Sequence, residues 1–142
     1  MTQENKDLLL KDLCARLPYG VKVLDDMGRT YRLNIGNAYL IDLLYGDTEY
    51  VEAPFKPYLR PMSSITEEEK NEFIHYAGYE VEESVNGRHY EYYLKDYVGT
   101  PEEPSCNCDA IDWLNVHHFD YRGLIEKGLA IEAPEGMYKK GE

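Results

Sequence analysis

The stretch that decides the fold is residues 21–35, VKVLDDMGRTYRLNI. It holds two short runs in which apolar and polar residues alternate, which is typical of antiparallel strands with one buried face. The link between them, residues 25–28, suits a hairpin connection. The sequence therefore predicts a β-hairpin whose second strand buries Tyr31, Leu33 and Ile35.

An amphipathic helix is predicted before this hairpin. Residues 8–17 bring leucines to one face at helical spacing, and Thr2 or Asn5 can cap the N-terminus. Pro18 ends the helix because proline cannot continue its hydrogen-bond ladder. Cys14 falls on the apolar stripe, so we expect it to be a small core residue. The charged residues of the helix are expected on its other faces: Lys11, Asp12 and Arg16.

Two further strands are predicted after the hairpin. Residues 38–45 form a continuous apolar run that fits a buried strand or a short helix, and turn signals on both sides favour the strand. Residues 50–55 open another extended segment, and three prolines keep its end from being a central strand: Pro54, Pro57 and Pro61. These short strands predict a small antiparallel sheet, with a curled, SH3-like arrangement as one interpretation.

The second half of the chain is predicted to hold a helix, a β-hairpin and two C-terminal helices. Thr66 and Glu69 form a capping box for the first helix, and residues 86–87, Asn-Gly, are the best hairpin signal in the chain. A helix over residues 110–118 follows, with Asp109 as its N-cap. Asp120 then caps a short last helix that ends at Gly128.

The separation of helices from strand groups predicts the α+β class. We expect one domain over residues 1–142, in which residues 1–62 form a helix plus a small sheet and residues 63–142 form an acidic α+β half packed on it. The chain has 142 residues, 43% of them hydrophobic, and a net charge of −12. It has no apolar stretch of the ~18 residues needed to cross a bilayer and no secretory signal, so we expect a cytoplasmic protein.

The negative charge is concentrated in residues 66–120, where 14 acidic residues face only Lys70, Arg88 and Lys95, a net charge of −11. Such a segment repels phosphates and favours a protein partner with a basic surface. Tyrosines on the predicted hairpin offer large contact areas with polar tips. The alternative is a solvated acidic face with half-buried sheet tyrosines. The residues of this candidate interaction surface are Tyr79, Glu82, Glu83, Tyr90, Tyr92 and Tyr93.

A metal site is the second hypothesis. Cys106, Cys108 and His117 could supply three of the four ligands of a zinc ion in a zinc-stabilised domain or a small hydrolase. The C-x-C spacing is a weak signal, however, and two reduced loop thiols are the alternative. His117 and His118 point about 100° apart on a helix, so they cannot share one ion without distortion. The alternative for His117 is a packed histidine, and for His118 a residue at the solvent-exposed rim.

A third hypothesis is nucleic-acid binding through Lys56, Tyr58 and Arg60, where local charge is not acidic and aromatic residues are near. The usual nucleophile, zinc-protease and nucleotide-binding motifs are missing from the sequence. We therefore expect no cofactor. A non-enzymatic protein-interaction module is the leading interpretation.

Three blocks of the sequence resemble a group of small uncharacterised proteins that recur in the genomes of gut anaerobes and their prophages. The blocks are KDLCARLPYGV, KPYLRPMSS followed by TEEE, and DWLN followed by HHFDYRGLIEKGL. They cover somewhat under half of the chain. The resemblance implies a mobile-element setting, and it brings no activity, cofactor or catalytic residue with it.

Overall fold

The computed structural model describes residues 1–42, 53–76 and 108–138. Four helices and four strands lie in these ranges. The helices are α1 (Gln3–Arg16), α2 (Tyr39–Asp42), α3 (Glu67–Tyr76) and α4 (Cys108–Val116). The strands are β1 (Lys22–Asp25), β2 (Thr30–Arg32), β3 (Phe55–Leu59) and β4 (Ile131–Glu132). The α+β class is confirmed. The predicted hairpin around residues 86–87 lies outside the described residues.

The sheet is mixed, and its strand order is β2-β1-β3-β4. β1 pairs antiparallel with β2, as the predicted hairpin requires, and it also pairs antiparallel with β3. β4 pairs parallel with β3. The prediction of an all-antiparallel, SH3-like curled sheet is therefore wrong, since the sheet is neither closed nor strongly curled. The fourth strand comes from near the end of the chain, and local sequence carries no signal for such a distant parallel pairing.

A proline lies inside a central strand, against the prediction. Pro57 is in β3, opposite Val23 of β1. β4 reaches β3 only at Tyr58 and Leu59. Pro57 therefore lies where β3 has a neighbouring strand on one side only. At this residue β3 does not have to form backbone hydrogen bonds on both sides.

The predicted strand over residues 38–45 is replaced, up to Asp42, by helical structure. A single 3₁₀ turn spans Ile35–Asn37 and leads into α2. Asn34 and Asn37 stabilise this turn, because each side-chain carbonyl accepts the other residue's backbone N–H, at 3.1 and 2.7 Å. The predicted alternation of buried residues also ends early. Leu33 is buried, whereas Ile35 is 90% exposed.

Helix α1 begins as predicted, because the Thr2 hydroxyl accepts the Asn5 backbone N–H at 3.1 Å. Its buried face is different from the predicted one. Cys14 is exposed, so the prediction that it is a core residue is wrong. Asp12 and Arg16, predicted on other faces, are fully buried together with the leucines of the helix. These two charged residues can be buried because they form an ion pair with each other.

The apolar core has two clusters. The first joins the leucines of α1 to the sheet and to Leu124 and Leu129, so the second half of the chain contributes to it. The second lies between α3 and α4, where the Trp113 ring centroid is 5.2 Å from that of Phe73 and 5.8 Å from that of Phe119. Within the described ranges, no helix is both long and apolar enough to cross a membrane.

The capping box of α3 is confirmed. The Thr66 hydroxyl accepts the Glu69 backbone N–H at 3.1 Å, and the Glu69 carboxylate accepts the Thr66 N–H at 3.2 Å. Helix α4 begins two residues before the predicted start. Asp109 therefore lies in its first turn and is not its N-cap.

The predicted last helix is a series of turns. The two carboxylate oxygens of Asp120 accept the backbone N–H groups of Leu124 and Ile125, each at 2.9 Å, so Asp120 holds a turn and does not start a continuous helix. Gly128 has a φ of 74°, and the Leu129 N–H reaches back to the Leu124 carbonyl at 2.9 Å. This return of the chain at Gly128 agrees with the prediction.

Candidate functional site

A cavity of about 630 Å³ lies between the start of α3, the end of α4 and the segment that follows β4. Its volume is in the range of small-ligand and side-chain sites. Five carboxylates and two guanidinium groups line it, so its wall has a formal excess of negative charge. These charged residues are Glu68, Glu69, Glu72, Glu132 and Glu135, and Arg32 and Arg60. We call this cavity the acidic groove.

Arg60 and Glu69 form an ion pair with two hydrogen bonds in the groove. Both guanidinium Nη atoms donate to the carboxylate at 2.8 Å, and the guanidinium carbon lies 4.1 Å from the centre of the Phe119 ring. Burial alone would raise the pKa of Glu69. The hydrogen bonds from Arg60 and Thr66 outweigh this effect and hold that pKa below its ordinary value. Glu69 is therefore a carboxylate at neutral pH, and Arg60 compensates its charge.

Glu72 and His117 form a second polar contact of the groove. Glu72 Oε1 accepts a hydrogen bond from Trp113 Nε1 at 3.1 Å and lies 3.5 Å from His117 Nε2. The His117 ring packs on Trp113, with a centroid distance of 4.2 Å. Burial lowers the pKa of His117 despite the opposing charge of Glu72. His117 is therefore neutral at pH 7 and adds no positive charge to the groove.

His118 has a backbone conformation that is unusual for a residue other than glycine, with a φ of 62°. It ends α4 in a Schellman arrangement: its N–H donates to the Asn115 carbonyl at 3.1 Å, and the Phe119 N–H donates to the Leu114 carbonyl at 3.0 Å. Glycine is the usual residue at this position, so the histidine costs backbone strain.

The His118 side chain is buried, with 7% exposure, so the prediction of a rim residue is wrong. Its ring stacks on the Tyr138 ring at a centroid distance of 3.8 Å, and Nδ1 has no hydrogen-bond partner among the described residues. Burial, reinforced by the charges of Arg16 and Arg32, lowers the pKa of His118 to about 3. His118 is thus a neutral ring in the wall of the groove.

Tyr138 anchors the chain segment beside His118. Its hydroxyl accepts the Lys22 backbone N–H at 2.8 Å and donates to the Tyr58 carbonyl at 2.7 Å. Burial raises the pKa of Tyr138 to about 12, so the phenol keeps its proton across the physiological range.

Few residues of the predicted interaction and metal sites lie in the described ranges. Cys106 lies outside them. So do the six residues of the predicted interaction surface: Tyr79, Glu82, Glu83, Tyr90, Tyr92 and Tyr93. Cys108 is the first residue of α4, and His117 lies one residue beyond the end of that helix, in the acidic groove. In the parts of the chain that the structure describes, no group of three or more His, Cys, Asp or Glu residues could hold a metal ion. Because Cys106 lies outside the described residues, the zinc hypothesis stays a prediction.

The structure separates the three residues of the nucleic-acid hypothesis by their environment. Lys56 and Tyr58 alternate with the buried residues of β3, and the Tyr58 hydroxyl lies 3.3 Å from that of Thr30. Arg60 is engaged by Glu69 and belongs to the acidic groove. The only one of the three that lines the groove is therefore charge-compensated, and the hypothesis stays a prediction.

Sequence reasoning missed several residues of the groove. Glu132, Glu135 and Tyr138 come from residues 132–142, for which the sequence predicted no functional role. Tyrosine so near the end of an otherwise polar segment was the available signal, since a lone aromatic residue there often anchors the segment to the core.

Comparisons with protein-family models, with curated proteins and with solved structures found no match to this chain.

Proposed function

We propose that this protein is a non-enzymatic protein-interaction module of a mobile genetic element, and that it binds a partner protein with a basic surface. The observation that carries the proposal is the composition of the acidic groove, where five carboxylates face two arginines. Clefts lined by one sign of charge concentrate the field and select ligands of the opposite sign. An arginine or lysine side chain of the partner is the group that this wall suits best.

The state of each charged group supports the choice of a cationic ligand. Glu69 is compensated by Arg60, and the two histidines of the wall are neutral at pH 7. The side chains of Glu132 and Glu135 are exposed and make no ion pair or hydrogen bond within the described residues. These two carboxylates are therefore available to a cation from outside.

The shape and lining of the groove also support a peptide or side-chain ligand. Pro61, Val116, Ala133 and Pro134 line it between the charged groups. Lysine and arginine combine an aliphatic stem with a charged head, so they can contact apolar and acidic surface together. The acidic, Tyr-rich segment that the sequence predicts as an interaction surface, residues 79–93, stays part of this proposal and lies outside the described residues.

Binding of a basic peptide tests the proposal. We expect the protein to bind a fluorescent peptide of alternating arginine and serine. It should not bind the corresponding peptide of alternating glutamate and serine. Affinity should fall about tenfold when salt rises from about 0.02 to 0.3 M, because exposed charges are screened. Fluorescence anisotropy measures the affinity for each peptide in parallel titrations.

Paired charge variants locate the binding. The double variant Glu132→Gln, Glu135→Gln should lose about tenfold in affinity for the arginine peptide. This loss corresponds to about 1.4 kcal/mol of binding free energy. The control Glu4→Gln, Glu126→Gln removes the same charge from exposed positions that do not line the groove, and should bind almost as the unaltered protein does. Equal losses in both variants, or no binding at low salt, would contradict the proposal.

A further inference from the structure

We infer that Tyr138 is the positioning residue of the acidic groove: its buried hydroxyl fixes the segment that carries Glu132 and Glu135, and so sets one acidic wall of the cavity. The inference rests on the proposed function, because it says how the proposed binding site is held in shape. It concerns an uncharged residue that lies six residues after Glu132 and three after Glu135.

The Tyr138 hydroxyl occupies a gap in the sheet. The antiparallel pairing of β1 and β3 runs from Asp25 opposite Phe55 to Val23 opposite Pro57, and Lys22 and Tyr58 would be the next pair. There the hydroxyl stands between the strands, accepting from the Lys22 N–H and donating to the Tyr58 carbonyl. One side-chain group thus satisfies a donor of β1 and an acceptor of β3, which is the role of a bridging water.

Other contacts tie the same segment down on both sides of the groove. The Ala133 N–H donates to the Leu59 carbonyl at 2.7 Å, next to the β3–β4 pairing. At the far end, Lys22 Nζ donates to the Met137 carbonyl at 3.1 Å. Glu135 lies between these anchors, in a turn closed by the Met137 N–H and the Pro134 carbonyl. Since neither Glu132 nor Glu135 has a side-chain partner of its own within the described residues, the backbone alone positions them.

The ring of Tyr138 links this segment to the opposite side of the cavity. It stacks on His118, which is held in the left-handed conformation at the end of α4 and lines the groove. The His118 carbonyl accepts the Arg60 N–H at 2.8 Å. Tyr138 is therefore linked through His118 to the backbone of Arg60, the ion-pair partner of Glu69. The hydroxyl and the ring have separate roles, so removing the hydroxyl alone keeps the stacking.

The variant Tyr138→Phe tests the inference with the same arginine peptide. We expect a five- to tenfold loss of affinity although no charge is removed, because the Lys22 N–H and the Tyr58 carbonyl lose their shared partner and the segment no longer stays in place. In the Glu132→Gln, Glu135→Gln background the same substitution should have less than a twofold effect, since the carboxylates it positions are already gone. The control Tyr121→Phe removes a part-buried hydroxyl that bonds Asn115, outside the groove, and should leave the affinity unchanged.

Hydrogen exchange gives a readout that needs no ligand. The Lys22 amide should exchange at least tenfold faster in Tyr138→Phe, whereas the Leu33 amide, which donates to the Val21 carbonyl, should keep its protection. Unchanged exchange at Lys22, or equal losses of affinity in both backgrounds, would overturn the inference. If the unaltered protein does not bind the peptide, the proposed function fails by itself, and the Lys22 amide still decides whether Tyr138 anchors the segment.

Discussion

Replacing Asp12 with asparagine is expected to lower the free energy of unfolding by about 3–5 kcal/mol, the range for breaking a buried ion pair. One carboxylate oxygen of Asp12 accepts Arg16 Nε, and the other accepts Arg122 Nη1, each at 2.9 Å. The side chains of Asp12 and Arg16 are fully buried, and that of Arg122 is 11% exposed. Neutralising Asp12 would therefore leave two guanidinium groups with no compensating charge in a poorly solvated site.

The substitution Asp12→Asn would also affect contacts beyond α1. Arg16 also donates from Nη2 to the Phe119 carbonyl, and it lies over the Tyr121 ring at 5.4 Å. The Asp12–Arg16 pair thus connects the first helix to the chain that follows α4. We expect the two clusters of the core to lose part of their cooperativity, which should appear as a broader transition.

Urea unfolding at pH 7 measures this effect, and Asp7→Asn is the matched control. Asp7 lies in the same helix and loses the same charge, but it is exposed, and among the described residues its carboxylate accepts a hydrogen bond only from the Gln3 side chain. Its substitution should change the unfolding free energy by less than about 0.5 kcal/mol. A loss below about 1 kcal/mol for Asp12→Asn would show that the buried network contributes little.

The second large effect is a loss of stability in mild acid caused by His118. Its pKa is about 3 in the folded protein and ordinarily 6.5, so between these values the unfolded chain takes up a proton that the folded protein does not. The contribution is fully present above pH 6.5 and is lost as the pH falls toward 3. Between pH 7.5 and 5 we expect His118 alone to cost about 2 kcal/mol of unfolding free energy.

The variant His118→Asn isolates this contribution, because asparagine does not titrate in this range and tolerates the left-handed conformation. Its unfolding free energy should fall about 2 kcal/mol less than that of the unaltered protein between pH 7.5 and 5. The control His117→Gln removes the neighbouring histidine, whose pKa is also lowered but which is less buried, and should flatten the pH dependence less. Parallel pH profiles for His118→Asn and the unaltered protein would refute the prediction.

Sequence reasoning succeeded where a few neighbouring residues decide the structure. The caps at Thr2 and Thr66, the hairpin formed by β1 and β2, and the turn at Gly128 all involve partners at most about ten residues apart. In each case one short pattern restricts the backbone strongly enough to overcome competing arrangements.

It failed where distant parts of the chain compete for the same place. Residues 38–42 have the apolar content of a strand, but residues 39–42 form α2. The strand that pairs with β3 on the side away from β1 is β4. Asp12 had the sequence position of a solvent-facing residue, and its burial depends on ion pairs with Arg16 and with Arg122, which lies 110 residues later in the chain. The groove likewise depends on Tyr138, which reaches Lys22 across 116 residues.

The amino-acid sequence by itself determined the α+β class, the starts of the first and third helices, the β1–β2 hairpin and the accumulation of negative charge, because these follow from propensity, capping and composition. Only the tertiary structure decided which charges are buried, which strand completes the sheet and where the carboxylates gather into a groove. The physical reason is that burial of a charge and pairing of a strand edge both need a partner, and here those partners come from the opposite end of the chain.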